Sequence, residues 1–180
     1  TATIRTASVD VSRFPYAIGT TTDLITKGNV TINGPISQND NTINFNNMFG
    51  ISKTTMEANA NHLYTESTFS QPVDGITWVN VSSGGTLTIA GSFTGSGILV
   101  VNGDMRISGT ADFNGIVYVI GALTMTGNAT INGSVIAESS ATADTTLQGS
   151  VTLNFNLLEI QGALTNVQFL NKQIVAWREQ

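Results

Sequence analysis

Few residues of this chain have the side chains that catalysis needs, and their spacing brings none of them together. His62 is the only histidine. A catalytic or metal-binding histidine works with partners. The acids near it in sequence, Glu57 and Glu66, are weak candidates, so His62 reads as a surface position on a helix. Asp23, Asp40, Asp74, Asp104, Asp112 and Asp144 show no paired spacing for general acid–base work. Stacked repeats would set position 112 against Thr130 and position 104 against Ala122, so no carboxylate cluster of the pectinase kind is expected. Cysteine is absent, which removes thiolate nucleophiles, thiolate metal sites and disulfides. Trp78 and Trp177 offer faces on which a sugar or base stacks, but aromatic core or cover is the simpler role. Asn29-Val-Thr, Asn80-Val-Ser, Asn128-Ala-Thr and Asn132-Gly-Ser fit the glycosylation pattern, as chance allows in a sequence this rich in Asn and Thr. No catalytic, cofactor-binding or metal-binding residue is assigned, and no cofactor is expected.

Bulk composition narrows the class. The 180 residues are 41% apolar and only 11% charged, with a formal net charge of −5. Such low charge suits a β-rich extracellular protein. Seven Lys plus Arg are scattered, without the basic stripe of a nucleic-acid binder. The longest apolar runs are too short to span a bilayer. No secretory leader pattern opens the chain, and its abrupt start at Thr1 is that of a trimmed or processed product.

The elements are announced by glycine. From Gly85 to Gly133 a glycine stands at every sixth position, nine in all. The hexads between them, such as ILVVNG (98–103) and IVYVIG (116–121), carry apolar residues at their second and fourth positions. Side chains two apart on a strand share a face, so Leu87/Ile89, Leu99/Val101, Met105/Ile107, Phe113, Val117/Val119, Leu123/Met125 and Ile131 point into one core. The glycine turns the corner. ILVVNG-DMRISG-TADFNG matches IVYVIG-ALTMTG-NATING eighteen residues later. Three hexads per turn predict an all-β fold, a triangular parallel β-helix of about 18 residues per coil. SVIAES-SATADT-TLQGSV (134–151) continues it, and TLNFN followed by LLEIQG (157–162) begins another turn. DLITKG-NVTING (23–34) places a first coil near residues 14–36, before the glycine run.

The rest is excursion and cover within a single domain, 1–180. Residues 37–75 leave the solenoid. Met56, Ala60, Leu63 and Tyr64 at helical spacing, with Ser52 as N-cap, predict the one inserted α-helix over about 52–67. Ile98, Val100, Ile116, Tyr118, Ile120 and Ile136 fall on outward positions yet are apolar. An apolar outer face needs a cover, and a single domain usually supplies its own. The candidates are the 52–67 helix, Phe169 to Trp177 within a C-terminal cap (163–180), and Ile4, Ala7 and Val11, spaced like the end of a helix (1–13).

Hexapeptide acyltransferases also build triangular solenoids, but their glycine follows the aliphatic residue directly and their base is a solenoid histidine. Neither feature is present here. The run GSGILVVNGDMRISGTADFNGIVYVIGALTMTGNATINGSVIAES resembles the solenoid of PilX-like and related type IV pilus assembly proteins. The resemblance extends to FPYAIGTTTDLITKGNVTINGPI, to Phe49-Gly50-Ile51-Ser52 and to Trp177-Arg178-Glu179. It implies a non-enzymatic minor pilin or pilus-tip subunit, extracellular on the filament, with other pilin subunits and a surface ligand as partners. Such a subunit is held in the inner membrane before assembly by an N-terminal hydrophobic helix, of which 1–13 would be the soluble remnant. Two alternatives stay open: a bactofilin-like scaffold polymerising end to end, and a DNA-uptake receptor using a local basic patch of Lys27, Arg106 or Lys172, which the acidic balance disfavours.

Overall fold

Two inward apolar residues and one glycine per hexad leave the backbone little choice but an extended side and a sharp corner. In the computed structural model, which describes residues 3–6, 10–139, 143–168 and 172–176, the hexads form the three sides of a β-solenoid. The chain begins with β1 (Thr3–Thr6), a single 3-10 turn (Val11–Arg13), β2 (Ile18–Thr20), β3 (Leu24–Asn33) and β4 (Ile36–Ser37). Two short helices follow, α1 (Phe45–Phe49) and α2 (Lys53–Ala58), then β5 (His62–Thr65) and β6 (Ile76–Asn80). The ladder proper runs through β7 (Thr86–Ile89), β8 (Ser92–Asn102), β9 (Asp104–Ile107), β10 (Thr110–Val119), β11 (Leu123–Met125), β12 (Asn128–Ala137) and β13 (Thr145–Phe155). It ends with α3 (Leu157–Gln168) and β14 (Lys172–Ala176).

The pairing is parallel and in register. Thr110 of β10 lies between Ser92 of β8 and Asn128 of β12, eighteen residues away on either side. Long strands turn a corner internally. Gly115, at φ 130°, lies over Gly97, and a Cβ there would run into the Gly97 carbonyl. The corner therefore requires glycine for both its dihedral and its close approach. Side A stacks β5, β6, the second halves of β8, β10 and β12, then β2 and β4. Side B stacks β7, β9, β11 and the first parts of β13 and β3. Side C stacks the first halves of β8, β10 and β12 with the last parts of β13 and β3. The inward pairs fill one cluster, with Phe93 and Phe113 stacked at 5.6 Å between ring centres.

The coil order departs from the sequence reading. The N-terminal coil does not precede the ladder in space; it stacks on the far end. Ile18 pairs with Val135, and Leu24–Asn33 pairs with Thr145–Asn154. Hexads of similar pattern fit either end of a stack, so the repeat specifies that a coil stacks but not where. After β4 the chain crosses side A and re-enters at the opposite end as β5. The coil containing residues 134–151 is also longer than eighteen residues. Asn128 faces Ser150, an offset of twenty-two, because the sequence between Ala137 and Thr145 is four residues longer than the matching one between Val119 and Leu123.

The helices differ too. Among the described residues there are three, not one. The expected helix over 52–67 begins as predicted, with Ser52 Oγ accepting the Thr55 N–H at 3.1 Å. It ends at Ala58, and His62–Thr65 is a strand on Thr77–Asn80. Asn61 explains the break: its Oδ1 accepts the Ile76 N–H at 2.7 Å and starts the sheet instead. LLEIQG is not a new coil but the start of α3. Asn156 Oδ1 accepts the N–H groups of Leu158 and Glu159 at 3.0 and 3.3 Å, which caps a helix. Ile160, Ala163, Leu164 and Val167 form its buried stripe. Where Ile4, Ala7 and Val11 predicted a helix end, Thr3–Thr6 is a strand paired antiparallel with Lys172–Ala176. Phe169 and Trp177 lie outside the described residues.

Candidate functional surfaces

Side A is sealed from within the chain. Ile98, Val100, Ile116, Tyr118 and Ile136 are fully buried, and Ile120 is partly so. Phe14, Ile43, Phe45, Met48, Phe49 and Met56 pack over them from one flank, and the α3 stripe from the other. Phe45 meets Trp78 and Tyr118 edge-on at 5.8 and 5.3 Å. Trp78 is thus part of the cover cluster, its indole N–H donating to Asn80 Oδ1 at 2.9 Å, and offers no open stacking face.

One carboxylate ties this cover down. Glu138 leaves the end of β12 and accepts three donors: the Tyr118 hydroxyl at 2.7 Å, the Phe45 N–H at 3.0 Å and Lys53 Nζ at 3.2 Å. The Phe45 N–H is one of the free donors at the start of α1. Burial, reinforced by the Glu138 charge, pushes the Tyr118 phenol far above its ordinary value. Tyr118 therefore stays a neutral donor. The constellation holds and orients, and it presents no nucleophile. A cleft of 380 Å³ beside it is lined by Asn44, Ser52, Lys53 and Glu138.

Sides B and C carry the display surface. On side C the outward rows read Ser92, Thr110, Asn128, Ser150, Asn29 and Thr94, Asp112, Thr130, Thr152, Thr31. On side B they include Thr88, Arg106, Thr124 and Thr146. Neighbouring strands stand about 4.8 Å apart, which makes a fixed lattice of hydroxyl and amide groups. At the corner leading to side A, amides stack: Asn33 Nδ2 donates to Asn154 Oδ1, Asn154 to Asn132 and Asn132 to Asn114, at 2.8, 2.8 and 2.9 Å. This ladder satisfies corner amides that would otherwise be half-buried and unpaired.

The residues singled out by type now have places. His62 is on β5, not on a helix, and its Nε2 is 2.7 Å from Asp74 Oδ1 in an exposed pair. Glu57 Oε1 accepts from Asn80 Nδ2 at 2.6 Å. Glu66 accepts from the Ser82 hydroxyl and N–H, and these bonds hold its carboxyl below the ordinary range. Asp104 Oδ1 accepts the Ala122 N–H at 2.8 Å, one coil on. Asp40 is held low by the Thr42 hydroxyl and N–H, with lesser help from Ser37 and Tyr16. Asp112 faces Thr94 and Thr130. Among the described residues no three metal-ligating side chains converge. Arg106 and Lys27 are three strands apart on side B, about 14 Å, and Lys172 lies on β14. Of the four glycosylation patterns, Asn29 and Asn128 stand outward on side C, whereas Asn80 and Asn132 are engaged in side-chain bonds. The Glu138 latch was missed because its partners lie twenty and ninety-three residues away in sequence.

Comparison with known proteins adds one finding. Residues 59–146 match the model of a domain of unknown function, DUF8470. That span covers β5 through the start of β13. No curated protein and no solved structure matches the chain. Among the described residues, no helix is long and apolar enough to cross a membrane.

Proposed function

We propose that the chain is the extracellular body of a type IV pilus-associated subunit, a minor pilin or tip protein acting in assembly, adhesion or surface display without bond chemistry. One observation carries this reading. Two sides of the solenoid present rows of Ser, Thr and Asn at fixed strand spacing, while the third, apolar side is closed by the chain's own helices. Such a body displays a surface; it does not enclose a reactant. The resemblance of residues 95–139 and 14–36 to pilus assembly proteins supplies the context, because those two stretches form the ladder and the coil stacked on its end. The strands β1 and β14 pair with each other, which brings Thr3–Thr6 beside Lys172–Ala176 and suits attachment through one point. In this reading a hydrophobic helix ahead of Thr1 anchors the subunit in the inner membrane before assembly, and other pilin subunits are its partners.

Immunogold labelling of sheared filaments tests it, together with an in-frame deletion. Label along or at the tip of pili, and reduced piliation or adhesion in the deletion strain, are expected. Filaments without label and a deletion strain with normal pili and adhesion would remove the reading. A scaffold polymerising end to end needs two open ends. The row above β8 is occupied instead by Val73, which bridges Gly95, and this favours the pilus reading over the scaffold.

A further inference from the structure

Two observations meet where α3 crosses the corner between sides C and A. The first is the direction of the amide ladder. Asn33 donates to Asn154, Asn154 to Asn132 and Asn132 to Asn114, each Nδ2 to the next Oδ1. The column then changes type, because Ser96 is the residue in register with Asn114 on β8. Among the described residues Asn114 Nδ2 has no acceptor. Bonds aligned head to tail polarise one another, so the last amide is a strengthened donor, half-buried and without a partner. Asn114 lines a groove of 250 Å³, with Ser96 and Gly97 beside it and Glu159, Gly162 and Asn166 of α3 opposite. The second observation is Gly162. Glycine inside a helix is less stable than alanine, and no neighbour requires it here, since a Cβ would meet nothing within 4 Å. The glycine keeps the groove open, because a longer side chain at 162 would occupy that space.

We propose that this groove binds a neutral saccharide, one ring of a glycan, through adjacent hydroxyls. The lining contains no lysine, arginine or histidine to hold an anion, and no aromatic or large aliphatic wall for an apolar ligand. A cation would meet the Glu159 carboxylate but also the positive end of the amide chain. A hydroxyl both accepts and donates. One hydroxyl of the ring accepts from Asn114 Nδ2, and its neighbour donates to Glu159, whose carboxylate has no partner among the described residues. Asn166 Nδ2 donates to the Ala163 carbonyl at 3.1 Å, which leaves its Oδ1 as a further acceptor. Ser96 supplies a hydroxyl that serves either way. The volume lies below the ~300–1,000 Å³ of sites for larger ligands, which suits a single ring. A polar groove without a stacking face binds weakly, so the dissociation constant is expected near ~1 mM. The site is separate from the outward rows of sides B and C, and this inference does not depend on the pilus role.

Titration of the isotope-labelled intact chain with D-glucose, D-galactose, D-mannose and N-acetyl-D-glucosamine, each to about 50 mM, tests it through amide NMR shifts. At least one sugar is expected to move the Asn114 and Asn166 side-chain amides and the Gly97 and Gly162 N–H signals saturably. Gly162→Gln should weaken that binding at least ~10-fold without lowering the melting temperature, because it fills the groove and favours the helix. Glu159→Gln should weaken it by about 3-fold or more. Should either variant fail to fold, the other and the shift map of the unaltered chain decide. The proposal is overturned if none of the four sugars moves these signals, or if Gly162→Gln folds and binds as before. Tighter binding of D-glucuronate or of glucosamine than of D-glucose would overturn it as well, by showing that the site selects charge.

Discussion

Glu138 shows how much one side chain can hold when its partners are fixed. Its carboxylate serves a buried phenol, a helix N-terminus and a lysine at once. These are not equal. The Lys53 arm is 40% exposed, and such a pair is worth little. The Tyr118 hydroxyl has no other route to water, so Glu138→Ala strands a buried donor and should destabilise by about 2–3 kcal/mol in urea unfolding. Glu138→Gln keeps an acceptor and should lose less. The phenol also sets an alkaline limit. Its folded value is raised, so its contribution is intact below the unfolded value near 10 and is lost as pH rises above it, by up to ~1.4 kcal/mol per pH unit. Tyr118→Phe should flatten that part of the stability–pH curve while lowering stability at neutral pH. A slope unchanged by the substitution would show that other groups cause it.

At the scale of elements, the sides of the solenoid were legible and the cover was not. Each hexad repeats the same local instruction, two inward apolar residues and a glycine, so strand after strand agrees with its neighbours. Helix α3 obeys a different period that was equally present: Ile160, Ala163, Leu164 and Val167 stand at i, i+3, i+4 and i+7. The hexad pattern makes it a coil because Leu157–Gly162 ends in a glycine. There is open space about Gly162, whereas Gly115 lies against the Gly97 carbonyl; spacing alone does not distinguish them. Two substitutions separate these roles. Gly115→Ala should cost several kcal/mol, on the order of 3, or prevent folding, since both dihedral and backbone must yield. Gly162→Ala, in a helix with room for the methyl group, should stabilise by about 0.5–1 kcal/mol. Leu164→Ala, beneath α3, should cost about 2–5 kcal/mol. Thermal melts of the three variants check the ranking. The β5 segment failed for the opposite reason. Met56, Ala60, Leu63 and Tyr64 have helical spacing, but Asn61 begins the sheet, and Leu63 then points outward at 58% exposure.

For the whole molecule, the order of coils is what the sequence withheld. A repeat states that its units stack and is silent on which unit takes the end, since Val30 and Ile32 suit Val151 and Leu153 as well as they would suit a neighbour in chain order. The resulting stack spans the chain from both directions, with residues 24–33 waiting on residues 145–154. During synthesis, residues 24–33 have no strand to lie on until residues 145–154 have followed. A product that stops at Ser139 lacks β13 and α3, so amide exchange over residues 24–33 should run at the unprotected rate, against strong protection in the complete chain. The placement of that coil thus makes synthesis through residue 154 a condition for closing the stack, and leaves copies terminated before it with an unpaired strand that proteases can cut.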